Sequence, residues 1–186
     1  SELEEALKDI KRLIDKLRKD NEDIIRRLRE TNDELRKLNK KIIDEIRDLI
    51  RRLEEVAKRI KDEKTLEEVL KRILDEVRKL AEESKRLNDK VREENERLVE
   101  KSRRTNKEIL ERVERLAREI TRRIKDDKDL KKRLEDVVKR VREEIEKLTR
   151  DNERVLEESR RTLEKLTREN EKVLREVKKK IDDLRK

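Results

Sequence analysis

The sequence predicts an all-α fold: a monomeric, antiparallel, up-down-up bundle of three nearly straight helices, each about sixty residues long. Three observations predict it. The 186 residues use only eleven amino-acid types, with 60 Lys+Arg, 51 Asp+Glu, 30% hydrophobic residues and no Gly or Pro. Strong helix formers dominate, and the residues that mark flexible linkers are missing. Second, an apolar stripe runs at helical spacing with an 18-residue period. Third, one polar octet occurs twice, RIKDEKTL at 59–66 and RIKDDKDL at 123–130, agreeing at six of eight positions.

The first helix is expected over about 2–61. Its stripe reads Leu3, Leu7, Ile10, Ile14, Leu17, Asn21, Ile25, Leu28, Asn32, Leu35, Asn39, Ile43, Ile46, Ile50, Leu53. The 4-3-4-3-4 spacing sums to 18, or 3.6 residues per turn, which matches a straight helix rather than a supercoiled one. The second helix is expected over about 65–125, where Leu70, Asn88, Asn106 and Ile124 fall 18 apart. The third is expected over about 129–185, with Leu130, Leu148, Leu166 and Leu184 in the same period. Here 148–165 and 166–183 share eight of 18 residues.

Without Gly or Pro, the turns are located by other signals. The stripe changes phase between Ile60 and Leu66, and the octet spans that point. Turns are therefore expected near 61–64 and 125–128, making residues 1–186 one bundle. Thr65 and Asp129 occupy the expected N-cap positions, and Thr65 with Glu68 fits a capping box. Short connections force antiparallel neighbours.

All eight asparagines lie on the apolar seam: Asn21, Asn32, Asn39, Asn88, Asn95, Asn106, Asn152 and Asn170. Pairing the first two helices about their turn sets Asn21 opposite Asn106, Asn32 opposite Asn95 and Asn39 opposite Asn88, each pair of numbers adding to 127. The third helix adds Asn152 and Thr149 to the first level, Ser159 to the middle one, and Asn170 and Thr167 to the last. Thr31, Ser84, Ser102 and Thr105 lie close enough to complete these levels. An unpaired buried polar group costs about 1–3 kcal/mol, whereas a satisfied network costs little and penalises a slipped register. The nine residues Asn21, Asn106, Asn152, Asn32, Asn95, Ser159, Asn39, Asn88 and Asn170 are thus the candidate structural polar layers. A half-hydrated seam and an ion- or ligand-binding seam are the alternatives. Neutral amides without carboxylates make a poor divalent-metal cage.

The composition excludes most chemistry. There is no Cys and no His, hence no thiolate, no imidazole ligand and no Ser–His or Cys–His pair. Without Gly there is no phosphate-cradling loop, and without aromatics no base-stacking platform. No apolar run exceeds two residues, which is too short for a membrane span. The net charge of +9 is spread along the chain at +2 over 1–62, +3 over 63–126 and +4 over 127–186, so no basic arm or stripe stands out. Catalytic, cofactor and metal residues are expected to be absent, as are specific nucleic-acid binding, membrane binding and a small-molecule ligand. No partner is required, although a domain-swapped or oligomeric helical interaction module is the alternative reading.

The 18-residue repeat, the reused octet, the eleven-letter alphabet and the mirrored asparagines cover the whole chain, and together they resemble computationally designed, parametric helical bundles with buried hydrogen-bond layers. The resemblance implies a hyperstable scaffold or a test of design rules with no natural biochemical activity. It also implies a soluble protein with no natural compartment, suited to cytoplasmic expression. The turns depart from the habit of such bundles in lacking Gly. Spectrin-like rods lean on aromatics, and exchangeable apolipoproteins carry 11- and 22-residue periods with Pro between units; neither pattern is present.

Overall fold

In the computed structural model, residues 2–125 and 127–185 are described. They form α1 (Glu2–Ala57), α2 (Glu63–Ile124) and α3 (Lys128–Arg185), with no strand among the described residues. Helices this long, far above the usual three or four turns, follow from the absence of any Gly or Pro to interrupt them. The ends suit the helix dipole: Glu2, Glu4 and Glu5 fill the first turn of α1, and Arg122 and Arg123 the last turn of α2.

Contacts divide the chain into two compact units, each drawing on all three helices. The first comprises Ser1–Arg29 and Glu94–Glu158; the second comprises Glu30–Glu93 and Ser159–Lys186. In the first unit, Ile10, Ile14 and Leu17 of α1 pack with Val113 of α2 and with Val141 and Ile145 of α3. A second cluster there joins Leu28 to Val99 and Val155. In the second unit, Ile46, Ile50 and Leu53 pack with Leu70 and Val77 and with Val177 and Ile181. Each cluster takes side chains from three helices, as a three-helix bundle requires.

Of the fifteen expected stripe positions on α1, all are buried except Leu3, Leu7 and Ile25, which are partly buried. Ala6 and Ile42 join the core beside the stripe, because a helix with two neighbours buries a wider face than a single seam.

The helix ends differ from the expectation. The first helix stops at Ala57 rather than near 61, and the caps are Asp62 and Asp127 rather than Thr65 and Asp129. Asp62 accepts from the Lys64 N–H at 3.4 Å and from the Thr65 hydroxyl at 2.7 Å. Its carbonyl accepts the first α2 bond, from the Leu66 N–H at 3.0 Å. Thr65 thus donates to the cap instead of serving as one. At the second turn, Asp127 accepts from the Leu130 N–H at 3.2 Å, and its carbonyl accepts from the Lys131 N–H at 3.1 Å. At the first turn the Asp62 carboxylate is a stronger acceptor than the Thr65 hydroxyl for N–H groups at the positive end of a helix, so Asp62 takes the position. The first chain reversal moves back with it, between Ala57 and Glu63, while the second stays between Ile124 and Lys128. Asp126, within the expected second turn, lies outside the described residues. Lys125 has φ 50°, a left-handed conformation that a glycine would adopt without steric cost.

Candidate functional site

The candidate site is the set of buried amides and hydroxyls on the helix seams. Asn21, Asn32, Asn39, Asn88, Asn95, Asn106, Asn152 and Ser159 are buried, and Asn170 is partly buried. Each seam position recurs with the helical period, so five polar residues come to one height in each unit.

In the first unit that set is Asn21, Ser102, Asn106, Thr149 and Asn152. The Asn21 Nδ2 donates to Asn106 Oδ1 at 3.3 Å and to the Leu17 carbonyl at 2.7 Å. Asn21 Oδ1 accepts from the Ser102 hydroxyl at 3.1 Å and from Asn152 Nδ2. The Asn152 Nδ2 also donates to Ser102 Oγ at 2.9 Å. Asn106 Nδ2 donates to Thr149 Oγ1 at 3.0 Å, and that hydroxyl donates to the Ile145 carbonyl at 2.9 Å. All three helices are joined by side-chain hydrogen bonds at this height.

The second unit holds the same set eighteen residues along each helix: Asn39, Ser84, Asn88, Thr167 and Asn170. Asn39 Nδ2 donates to Asn88 Oδ1 at 3.4 Å, and the Ser84 hydroxyl donates to Asn39 Oδ1. Asn170 Nδ2 donates to Ser84 Oγ at 2.5 Å. Thr167 donates to the Leu163 carbonyl at 2.9 Å. Among the described residues, two buried side-chain atoms lack a hydrogen-bond partner, one in each unit: Asn152 Oδ1 in the first and Asn88 Nδ2 in the second.

Of the expected middle level, the Ser159 hydroxyl donates to Asn32 Oδ1 at 2.9 Å within the second unit. Asn95 is buried in the first unit. Thr105 turns back on its own helix, donating to the Lys101 carbonyl at 3.0 Å. Ser84 and Ser102 hold a more central place than the asparagine count suggested, because each hydroxyl both accepts from α3 and donates to α1. The sequence marks only their place: both serines repeat at 18 and sit one turn before an asparagine on α2.

None of these groups is ionised, so the seams bind and orient but transfer no proton at neutral pH. Among the described residues no group of His, Cys, Asp or Glu is placed to hold a metal ion, and no helix is long and apolar enough to cross a membrane. An open surface groove of about 530 Å³ runs between α1 and α3 of the second unit over Ile43, Leu166 and Val173, rimmed by mixed charges that include Arg47, Asp44, Lys172 and Glu169.

Charged side chains tie the helices together at the surface. Arg18 forks onto both oxygens of Glu144, with Nη2 to Oε2 at 2.5 Å; the hydrogen bond, then the arginine's charge, holds the Glu144 carboxyl below its ordinary range. Asp62 is likewise held low, first by the Thr65 hydroxyl and then by the Lys64 N–H. Arg123–Glu2 joins α2 to α1, Arg142–Glu114 and Arg185–Glu67 join α3 to α2, and Lys180–Glu54 joins α3 to α1, at 2.7–3.0 Å. These pairs are exposed, so water and salt screen them and they contribute little to stability.

The fold and the seams define the class: an all-α three-helix bundle with a buried polar hydrogen-bond network. A solved structure described as a computationally designed three-helix bundle is similar to this chain over 99% of its length and 89% of the other chain, with a TM-score of 0.64 and 21% identity. No protein-family model and no curated protein matches the sequence.

Proposed function

We propose that this chain is a designed structural scaffold, monomeric and without enzymatic activity, whose polar layers fix which helix faces pair and in what register. One observation carries the reading. A single set of five polar residues recurs eighteen residues along every helix, and its side chains bond to one another across three helices in both units. An exact period invites slippage, since a sliding helix meets a near-copy of its own neighbour. Buried amides oppose it, because a slip sets them against Leu or Val and leaves them unpaired. The designed bundle of similar fold supports the same reading. On this view residues 1–186 act as one cooperative unit.

The test compares the parent chain with one carrying apolar layers: N21L, S102A, N106L, N152L, N39L, S84A, N88L and N170L. Both are refolded and sized by light scattering, with refractive index reporting concentration because the chain has no aromatic residue. The parent is expected at 22.9 kDa and without a melt below about 90 °C. The apolar variant is expected to stay helical but distribute over several masses. A variant with one mass and one transition, like its parent, overturns the reading. A parent of doubled mass replaces the monomer with a self-associating module.

A further inference from the structure

Asparagine spacing alone does not tell α1 which helix to face. On α1 the levels lie 11 and then 7 residues apart, at Asn21, Asn32 and Asn39. On α2 they lie 7 and then 11 apart, at Asn88, Asn95 and Asn106. This is the order an antiparallel partner needs. On α3 the levels Asn152, Ser159 and Asn170 lie 7 and then 11 apart as well, each 64 residues after its α2 counterpart. An α1 helix laid antiparallel on α3 would therefore meet polar residues at all three levels, with numbers adding to 191 each time. Within one chain, short turns set α1 and α3 parallel. Between two copies nothing in the asparagine pattern forbids the wrong pairing.

The two candidate partners differ one turn before each outer asparagine. There α2 carries Ser84 and Ser102, and α3 carries Leu148 and Leu166 at the positions 64 residues on. Ser84 and Ser102 are 0% and 5% exposed. Each donates to the α1 asparagine, Asn39 or Asn21, and each accepts the amide of the α3 asparagine, Asn170 or Asn152. With leucine in that place, the α1 carbonyl oxygen loses the hydroxyl donor and the α3 amide loses its acceptor. We infer that Ser84 and Ser102 are the specificity-determining residues by which α1 accepts α2, and rejects the α3 of a second copy, as its antiparallel partner.

This rests on the reading of the layers as pairing locks, and the test separates the two. Full-length parent, S84A/S102A and L148S/L166S are unfolded in guanidinium, refolded at high concentration and sized by light scattering. Removing both hydroxyls takes away the hydrogen bonds by which α2 differs from α3 one turn before each outer asparagine. The dimer fraction of S84A/S102A is expected to rise about tenfold or more over the parent. Granting α3 the hydroxyls in L148S/L166S is expected to raise it as well. If S84A/S102A refolds helical with the parent's dimer fraction, the inference is overturned. If that variant does not refold, L148S/L166S decides, and no rise in its dimer fraction overturns the inference. Mixed masses from the eightfold apolar variant, together with parental behaviour of S84A/S102A, would remove the serines' role while leaving the locks in place. Parental behaviour of both would remove the two together.

Discussion

The polar sets of the two units are the same five residues translated by eighteen, yet they close differently. In the first unit the α2 asparagine, Asn106, passes its amide to Thr149, and the spare atom is an acceptor, Asn152 Oδ1. In the second the equivalent Asn88 amide has no partner, although Thr167 stands at the matching position and bonds only its own helix. The first unit also returns Asn21 Nδ2 to the Leu17 carbonyl at 2.7 Å. Residue type and period decide which groups meet. Small differences in helix placement decide which of them finish the circuit. An orphaned donor is the more serious defect, since a carbonyl oxygen has two lone pairs and is more often left under-satisfied.

Four predictions sharpen that contrast, each read from guanidinium unfolding followed by circular dichroism. The largest effect is expected from the leucines one turn before the α1 asparagines. Leu17→Ala and Leu35→Ala should each cost about 2–5 kcal/mol, and similar costs would place the contrast in the polar groups rather than in the surrounding core. Next, Asn21→Ala should cost about 3 kcal/mol, and about 1 kcal/mol more than Asn39→Ala, because Asn21 satisfies more partners. Equal losses would erase the distinction between the sets. Third, Thr149→Val should cost about 1 kcal/mol by stranding the Asn106 amide, while Thr167→Val should cost close to nothing. The smallest effect concerns acid. Glu144 in the first unit and Asp62 in the second are both held below their ordinary values, so the unfolded chain binds more protons than the folded one as the pH falls. Their stabilisation is complete above the unfolded carboxylate range and lost as the pH drops through the folded values. The unfolding midpoint should fall between pH 7 and pH 2, and E144Q or D62N should each flatten that dependence slightly.

The long elements were legible because every residue of the stripe reports the same period. Twelve of the fifteen α1 positions named from spacing are buried, and the pairs Asn21–Asn106 and Asn39–Asn88 follow from simple addition of residue numbers. The turns were harder to place. The two octets agree at six positions, yet the cap falls on the fourth residue of one, Asp62, and on the fifth of the other, Asp127. Several polar residues in each octet can accept N–H bonds, and periodicity does not rank them. No glycine marks the left-handed residue, so Lys125 could not be singled out. The central place of Ser84 and Ser102 depends on which amide atom faces which hydroxyl, and residue spacing carries no such direction.

The eighteen-residue period has a consequence for length. Five whole turns return a side chain to the azimuth it left, so a block of that size can be added to or taken from all three helices without rotating any face. Each added block lengthens a helix by about 27 Å and brings its own copy of the polar set, like a further graduation on a ruler. A block of ten or twelve residues would instead turn charged residues into the core. Lengths for this chain therefore come in steps, and the eighteen-residue step is the one that repeats both the azimuth and the polar set from which it is already built.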